Sequence, residues 1–304
     1  MPIRTRRWND PPEPGEGLRI LVCRYRPRAS ARKIKAMPDI VVNGARIHYE
    51  DSGAGPGQTI VFAHGLLWGG WMFEAQAAAL ATRYRCIRFD FRGQGKSEIT
   101  GDGYDMETLT GDAVALIEAL NIGPVHFAGL SMGGFIGMRL GARRPDLVRS
   151  LTLMETSADP EPAENVPKYR KLAFVARWIG LKVVSKQVMP IMFGRTFLSD
   201  PARAADRKRF LELLVGNHRV GITRAVHGVI DRAGVYDEIA SIRCPTLVIV
   251  GDEDVATVPA KAERLAARIP GATLVRIPRA GHSSTVEEPA AVTAAMSAFL
   301  TRLS

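Results

Sequence analysis

Val125-His126-Phe127-Ala128-Gly129-Leu130-Ser131-Met132-Gly133-Gly134 is the stretch on which the fold is decided. Val125 to Leu130 is an apolar run of strand length, and Met132 to Gly141 has helical character, so Ser131 falls on the turn from a buried strand into a helix. A serine there is held in a tight, strained conformation. The small residues Gly129 and Gly133 let strand, turn and helix approach closely, and the hydroxyl is left exposed at the carboxyl end of a sheet.

A serine hydroxyl becomes a useful nucleophile only with a base in hydrogen-bond reach and a third group to orient that base. Two downstream segments supply both. Pro245 to Gly251 is short, apolar and β-branched, as a central parallel strand should be, and the polar loop Gly251-Asp252-Glu253-Asp254 follows it. Thr273 to Pro278 reads as a further buried strand, followed by Arg279-Ala280-Gly281-His282-Ser283. His282 is therefore the candidate base and Asp254 the candidate orienting acid, with Glu155, at the end of the strand Ser150 to Met154, as the competitor for that acid position. Asp90 and Arg92 are expected to stabilise their own turn, and His64 to bond neighbouring backbone.

Outward from the elbow, strands and helices alternate. Thr59 to Ala63, Tyr84 to Phe89, a helix near Met106 to Leu120, Val125 to Leu130 and Ser150 to Met154 imply right-handed crossovers and a mostly parallel sheet covered on both faces, an α/β class. Ile40 to Tyr49 is a hairpin turning at Asn43-Gly44. The last helix, near Ala290 to Leu303, carries the stripe Val292, Met296, Phe299 and Leu303. Ser157 to about Ala240 breaks the alternation: it is helical, opens on the Pro-rich Asp159-Pro160-Glu161-Pro162, and contains Phe174, Trp178, Ile179, Met189, Ile191, Met192, Phe193 and Phe197.

The order Ser131, Asp254, His282, each directly after a predicted strand, resembles the α/β-hydrolase family from about Asp39 onward. His64-Gly65-Leu66 after Thr59 to Ala63 looks like the family's oxyanion loop, and Asp90-Phe91-Arg92-Gly93-Gln94-Gly95-Lys96-Ser97 like its DxRGxGxS turn. The motifs look most like serine esterases and enol-lactonases of the 3-oxoadipate type. The resemblance implies an oxyanion hole from the amides of Leu66 and Met132, a core of residues 37–156 and 241–304, and a helical cap of residues 157–240 over the active site. Trp68, Trp178, Met189 and Phe193 are the candidate pocket residues. It also implies a cofactor-free carboxylic ester or lactone hydrolase working through an acyl-enzyme. A carbon–carbon bond hydrolase, a perhydrolase, an acyltransferase or a ligand receptor on the same triad are the alternatives.

The net charge of +10 does not point to nucleic acid, because residues 1–36 hold ten basic and three acidic residues and so carry +7 of it. That segment, rich in Pro and Gly and without periodicity, is expected to be disordered. Cys23, Cys86 and Cys244 show neither a CxxC pair nor metal spacing, and Cys86, within one predicted strand, and Cys244, just ahead of another, should pack as small hydrophobes. No metal or other cofactor is expected. No apolar run approaches the roughly 20 residues of a membrane span. The expectation is a soluble cytoplasmic protein whose partner is a small-molecule substrate, with no nucleic-acid or membrane partner.

Overall fold

The structure, a computed structural model, describes residues 39–53 and 57–303. The basic segment 1–36 lies outside the described residues. Among the described residues there are eight strands: β1 (Asp39–Val42), β2 (Ala45–Asp51), β3 (Thr59–Ala63), β4 (Arg85–Phe89), β5 (Val125–Leu130), β6 (Val148–Met154), β7 (Thr246–Gly251) and β8 (Thr273–Ile277). Their helices are α1 (Glu74–Leu80), α2 (Met106–Ala119) and α3 (Met132–Arg143). Between β6 and β7 come α4 (Val166–Trp178), α5 (Leu181–Met192), α6 (Arg195–Ser199), α7 (Ala204–Gly216) and α8 (Arg219–Ile230). The chain then closes with α9 (Pro259–Arg268), α10 (Ser284–Glu287) and α11 (Pro289–Thr301).

The sheet runs β1-β2-β4-β3-β5-β6-β7-β8. From β4 to β8 every pairing is parallel, while β1–β2 and β2–β4 are antiparallel. Asn43 and Gly44 turn the β1–β2 hairpin with φ of 47° and 73°, the left-handed pair that a two-residue hairpin loop requires. β3, β5 and β7 are buried along their whole length, because helices lie on both faces. One core sits under α2, α3 and α9, and the other under α1, α11 and the insertion between β6 and β7. Val292, Met296 and Phe299 of α11 enter the second core.

Two expectations need correcting. β8 is not a buried strand: only its last residue, Ile277, is fully buried, because β8 ends the sheet and has β7 on one side alone. Arg92 does more than hold its own turn. Its Nε and Nη2 donate to the Asp112 carboxylate of α2 at 2.7 and 2.5 Å, and Nη2 also donates to the Asn43 carbonyl, so the turn is tied to helix and hairpin. Asp90 does hold its turn, accepting from the Lys96 amide at 2.9 Å and also from the Gly70 amide at 2.7 Å. Cys86 is buried, and burial pushes its thiol up to about 12.

Candidate active site

Ser131 sits between β5 and α3 with φ 52° and ψ −108°, a conformation that side chains other than glycine rarely adopt. The elbow closes only because its neighbours lack side chains. A Cβ on Gly129 would lie 2.2 Å from the Gly133 carbonyl oxygen, and one on Gly133 2.0 Å from the Ala63 carbonyl oxygen. The turn is then fastened by backbone: the Ser131 amide donates to the Met154 carbonyl at 2.8 Å, and the Thr156 hydroxyl to the Ser131 carbonyl at 2.9 Å.

The loops after β7 and β8 bring Asp254 and His282 to the same sheet edge. His282 Nε2 lies 2.9 Å from Ser131 Oγ, and His282 Nδ1 lies 2.9 Å from Asp254 Oδ2. A carboxylate only accepts, so Nδ1 carries the proton and the Nε2 lone pair faces the serine hydroxyl. The other Asp254 oxygen accepts from the amides of Ala256 and Thr257 at 2.8 and 2.9 Å, which fixes the carboxylate independently of the imidazole. All three side chains are buried or nearly so.

Glu155, the competing acid, makes no hydrogen bond to His282. It is fully buried beside Ser284 and the Gly251 backbone, with neither carboxyl oxygen in a formed hydrogen bond, at φ 43°. Burial, reinforced by the nearby Asp254 charge, raises its carboxyl well above the usual range.

Met132 directly follows Ser131 and Leu66 lines the same cavity, and neither amide is hydrogen-bonded among the described residues. The loop that carries Leu66 is held from outside: the Leu67 amide donates to Gln94 Oε1 at 2.9 Å, and Asn217 Nδ2 to the Leu67 carbonyl at 2.9 Å. His64 is a fastener, as expected. Its Nδ1 donates to the Gly65 carbonyl at 2.7 Å and its Nε2 accepts from the Phe91 amide at 2.9 Å; burial lowers its basicity.

Two contributors escape a sequence reading. Gln94 lies inside a glycine-rich turn and reaches the Leu67 amide only through the fold. Glu287, on the short α10, accepts from the amides of Gly281 and Ser283 at 3.0 Å each, on both sides of His282, and from Gly194 of the insertion at 2.8 Å. Burial raises its carboxyl to about 7 against the pull of those three amides. Its spacing from His282 is the sole sequence signal, and nothing in that spacing names its partners.

Ser131 and His282 open into a cavity of about 140 Å³ whose wall is largely aliphatic: Leu66 on one side, and Leu172, Val184, Val188 and Ile222 from the insertion. The four candidate pocket residues do not line it. On α4 the inward stripe is Tyr169, Leu172, Ala173 and Ala176, at i, i+3, i+4 and i+7, which turns Trp178 outward to 67% exposure. On α5 the stripe is Val184, Val188, Ile191 and Met192, so Met189 falls beside it and packs partly into the core. Phe193, just past α5, stacks on Phe197 and Phe210 with centroids 4.8 and 5.3 Å away. Trp68 joins that aromatic cluster and donates from Nε1 to Ser283 Oγ at 3.2 Å. The polar end of the cavity has Glu161 paired with Arg232 at 2.9 Å, together with Lys261 and Thr257. Among the described residues no group of three or more His, Cys, Asp or Glu could hold a metal ion.

Comparison with known proteins places this geometry in context. A profile described as the alpha/beta hydrolase family matches residues 60–295. The enol-lactonase from Burkholderia xenovorans LB400 is 32% identical with a TM-score of 0.80, over 87% of this chain and 100% of that one. A thermophilic esterase from Thermogutta terrifontis, solved with malate bound, is 26% identical with a TM-score of 0.81, over 87% and 98%. BpoC of Mycobacterium tuberculosis, whose name proposes a non-heme bromoperoxidase, is 30% identical over 255 residues, 83% of this chain and 96% of that protein.

Proposed function

The chain belongs to the alpha/beta hydrolase family, and from that premise we propose that it is a serine hydrolase of small carboxylic esters or lactones. The observation that carries the reading is the hydrogen-bonded line from Ser131 through His282 to Asp254, with 2.9 Å at both steps, at the mouth of an aliphatic cavity. His282 Nε2 takes the Ser131 proton as Oγ attacks the substrate carbonyl carbon. The tetrahedral oxyanion is held by the free amides of Leu66 and Met132, each contributing a few kcal/mol that the ground-state carbonyl does not receive. His282 returns the proton to the leaving alcohol or enol oxygen, the acyl-enzyme remains, and water attacks it by the same route to release the acid. Asp254 keeps the imidazole in the tautomer that accepts from serine. Residues 157–240 act as the cap that shapes the acyl site, on a core of 37–156 and 241–304.

The cavity size restricts the substrate. An apolar cavity of about 150 Å³ admits benzene, so 140 Å³ suits an acyl group of up to about six carbons or a single ring. The test is a panel of p-nitrophenyl esters and lactones of graded acyl size, assayed with the whole chain and with Ser131→Ala. We expect sustained turnover that falls off beyond about six acyl carbons, and a loss on the order of 10³-fold or more in Ser131→Ala. Residual activity within about tenfold of wild type in that variant, or a single burst with retained product, would overturn the proposal.

A further inference from the structure

The outer faces of the two helices that wall the cavity carry a feature the hydrolytic site does not use. Phe174, Trp178, Ile179 and Val183 are 64%, 67%, 60% and 57% exposed, and all lie within ten residues of chain at the α4–α5 corner. Phe174 and Trp178 are one helical turn apart on the outer stripe of α4, with Lys171 a turn before them. Large apolar side chains so clustered and so exposed are not ordinary surface. Their surroundings are basic: residues 166–192 contain Lys168, Arg170, Lys171, Arg177, Lys182 and Lys186 and no Asp or Glu. Arg170 pairs with Asp231 at 2.6 Å, and Arg177 lies over the Trp178 ring at 5.1 Å. Lys171, Arg177, Lys182 and Lys186 have no carboxylate partner among the described residues.

We propose that this corner docks onto an anionic lipid surface, with Phe174, Trp178, Ile179 and Val183 entering the headgroup boundary and the surrounding cations meeting lipid phosphates. Charge complementarity selects this occupant. A second copy would set these unpaired cations against their own copies, whereas an anionic bilayer is attracted to the cations and accepts Trp and Phe at its interface. No membrane span is needed, and among the described residues no helix is long and apolar enough to make one. The inner faces of the same helices supply the aliphatic cavity wall, so docking would bring the cavity close to substrates dissolved in the lipid phase. The inference stands apart from the ester reading, since it concerns where the chain binds and not what it cleaves.

The experiment is flotation of the full chain with vesicles of phosphatidylcholine alone and of equal parts phosphatidylcholine and phosphatidylglycerol. Wild type is compared with Phe174→Ser/Trp178→Ser and with Lys171→Glu/Lys182→Glu. Residues 1–36 carry +7 and are kept in every variant, so the difference between proteins, and not wild-type binding alone, reports on the corner. We expect binding to the anionic vesicles that weakens with added salt and a blue shift of tryptophan emission that Trp178→Ser removes. Partitioning should be lower by more than about tenfold in the charge-reversed variant, since each Lys or Arg near such a surface is worth about a fivefold gain. All the substituted side chains are exposed, so melting temperature and turnover of a water-soluble ester without lipid should stay at wild-type values. Equal vesicle binding by all three proteins, or no binding at all, would overturn the proposal. So would a dimer in sedimentation velocity that Phe174→Ser/Trp178→Ser dissociates, because a second copy would then be the occupant.

Discussion

Asp254 and Glu155 are both buried acids within electrostatic reach of one another, and the fold gives them different hydrogen-bond partners. Asp254 accepts two backbone amides and the imidazole N–H, whereas Glu155 has no formed hydrogen bond and its carboxyl is raised well above the usual range by burial. Under the proposed mechanism the two substitutions therefore separate. Asp254→Asn keeps the size but presents an N–H or a weaker acceptor to Nδ1, so kcat should fall on the order of 10³ to 10⁴-fold with KM little changed. Glu155→Gln keeps the shape of a side chain that does not touch His282, and kcat should stay within about threefold of wild type. Steady-state kinetics of the two variants on one good ester decides the matter. A collapse of kcat in Glu155→Gln with Asp254→Asn active would give the orienting role to Glu155.

At the level of elements, the junction of β3, β5 and α3 depends on backbone lying against backbone. The amide of Gly133 donates to the His64 carbonyl at 3.1 Å, and its missing Cβ is what lets α3 start directly over the end of β3. Gly133→Ala must force that helix start away from Ala63, and main chain cannot yield as the tip of a flexible side chain can. The expected cost is roughly 2–3 kcal/mol, as for overpacking of a tight core, seen as a lower denaturant midpoint at unchanged slope. Ester turnover should drop further than the folded fraction does, because the Met132 amide moves with the helix start. A variant of wild-type midpoint and wild-type turnover would show that the close approach is not needed.

For the whole molecule, the buried acids make stability depend on pH with a definite sign. Glu287 has a folded pKa of about 7 against an ordinary 4.5, and Glu155 is also raised, so the native state holds protons that the unfolded chain has already released. The Glu287 contribution is fully present below pH 4.5 and is lost as pH rises through about 7, and that of Glu155 is lost in the same direction. Against the background of other carboxylates, wild type should thus lose stability relative to a Glu155→Gln/Glu287→Gln protein as pH rises from about 5 to 8. The difference should amount to a few kcal/mol at most. Urea midpoints of both proteins across that range provide the check; parallel pH profiles would mean that neither acid titrates in that window. Glu287 also links the insertion, through Gly194, to the loop carrying His282, so this titration acts where insertion and core meet.

By itself the sequence determined what is local. The apolar runs Thr59 to Ala63 and Val125 to Leu130 are strands at the expected bounds, because a short, mostly apolar run of five or six residues between turn signals has few other uses in an α/β chain. The glycines around Ser131 and the placement of Asp254 and His282 after strands put those three residues at one sheet edge, since parallel strands all deliver their following loops to the same side. What depends on neighbours was left to the tertiary structure. Nothing in the composition of β8 reveals that it ends the sheet, and an apolar residue in the insertion reads alike whether it faces the cavity, the aromatic cluster or solvent. The helical phase of α4 and α5 against the sheet divides Tyr169 and Val188 from Trp178 and Met189. Packing likewise gives Glu287 three amides and Glu155 none, because a carboxylate's partners come from segments distant in the chain that only the closed fold brings within hydrogen-bond range.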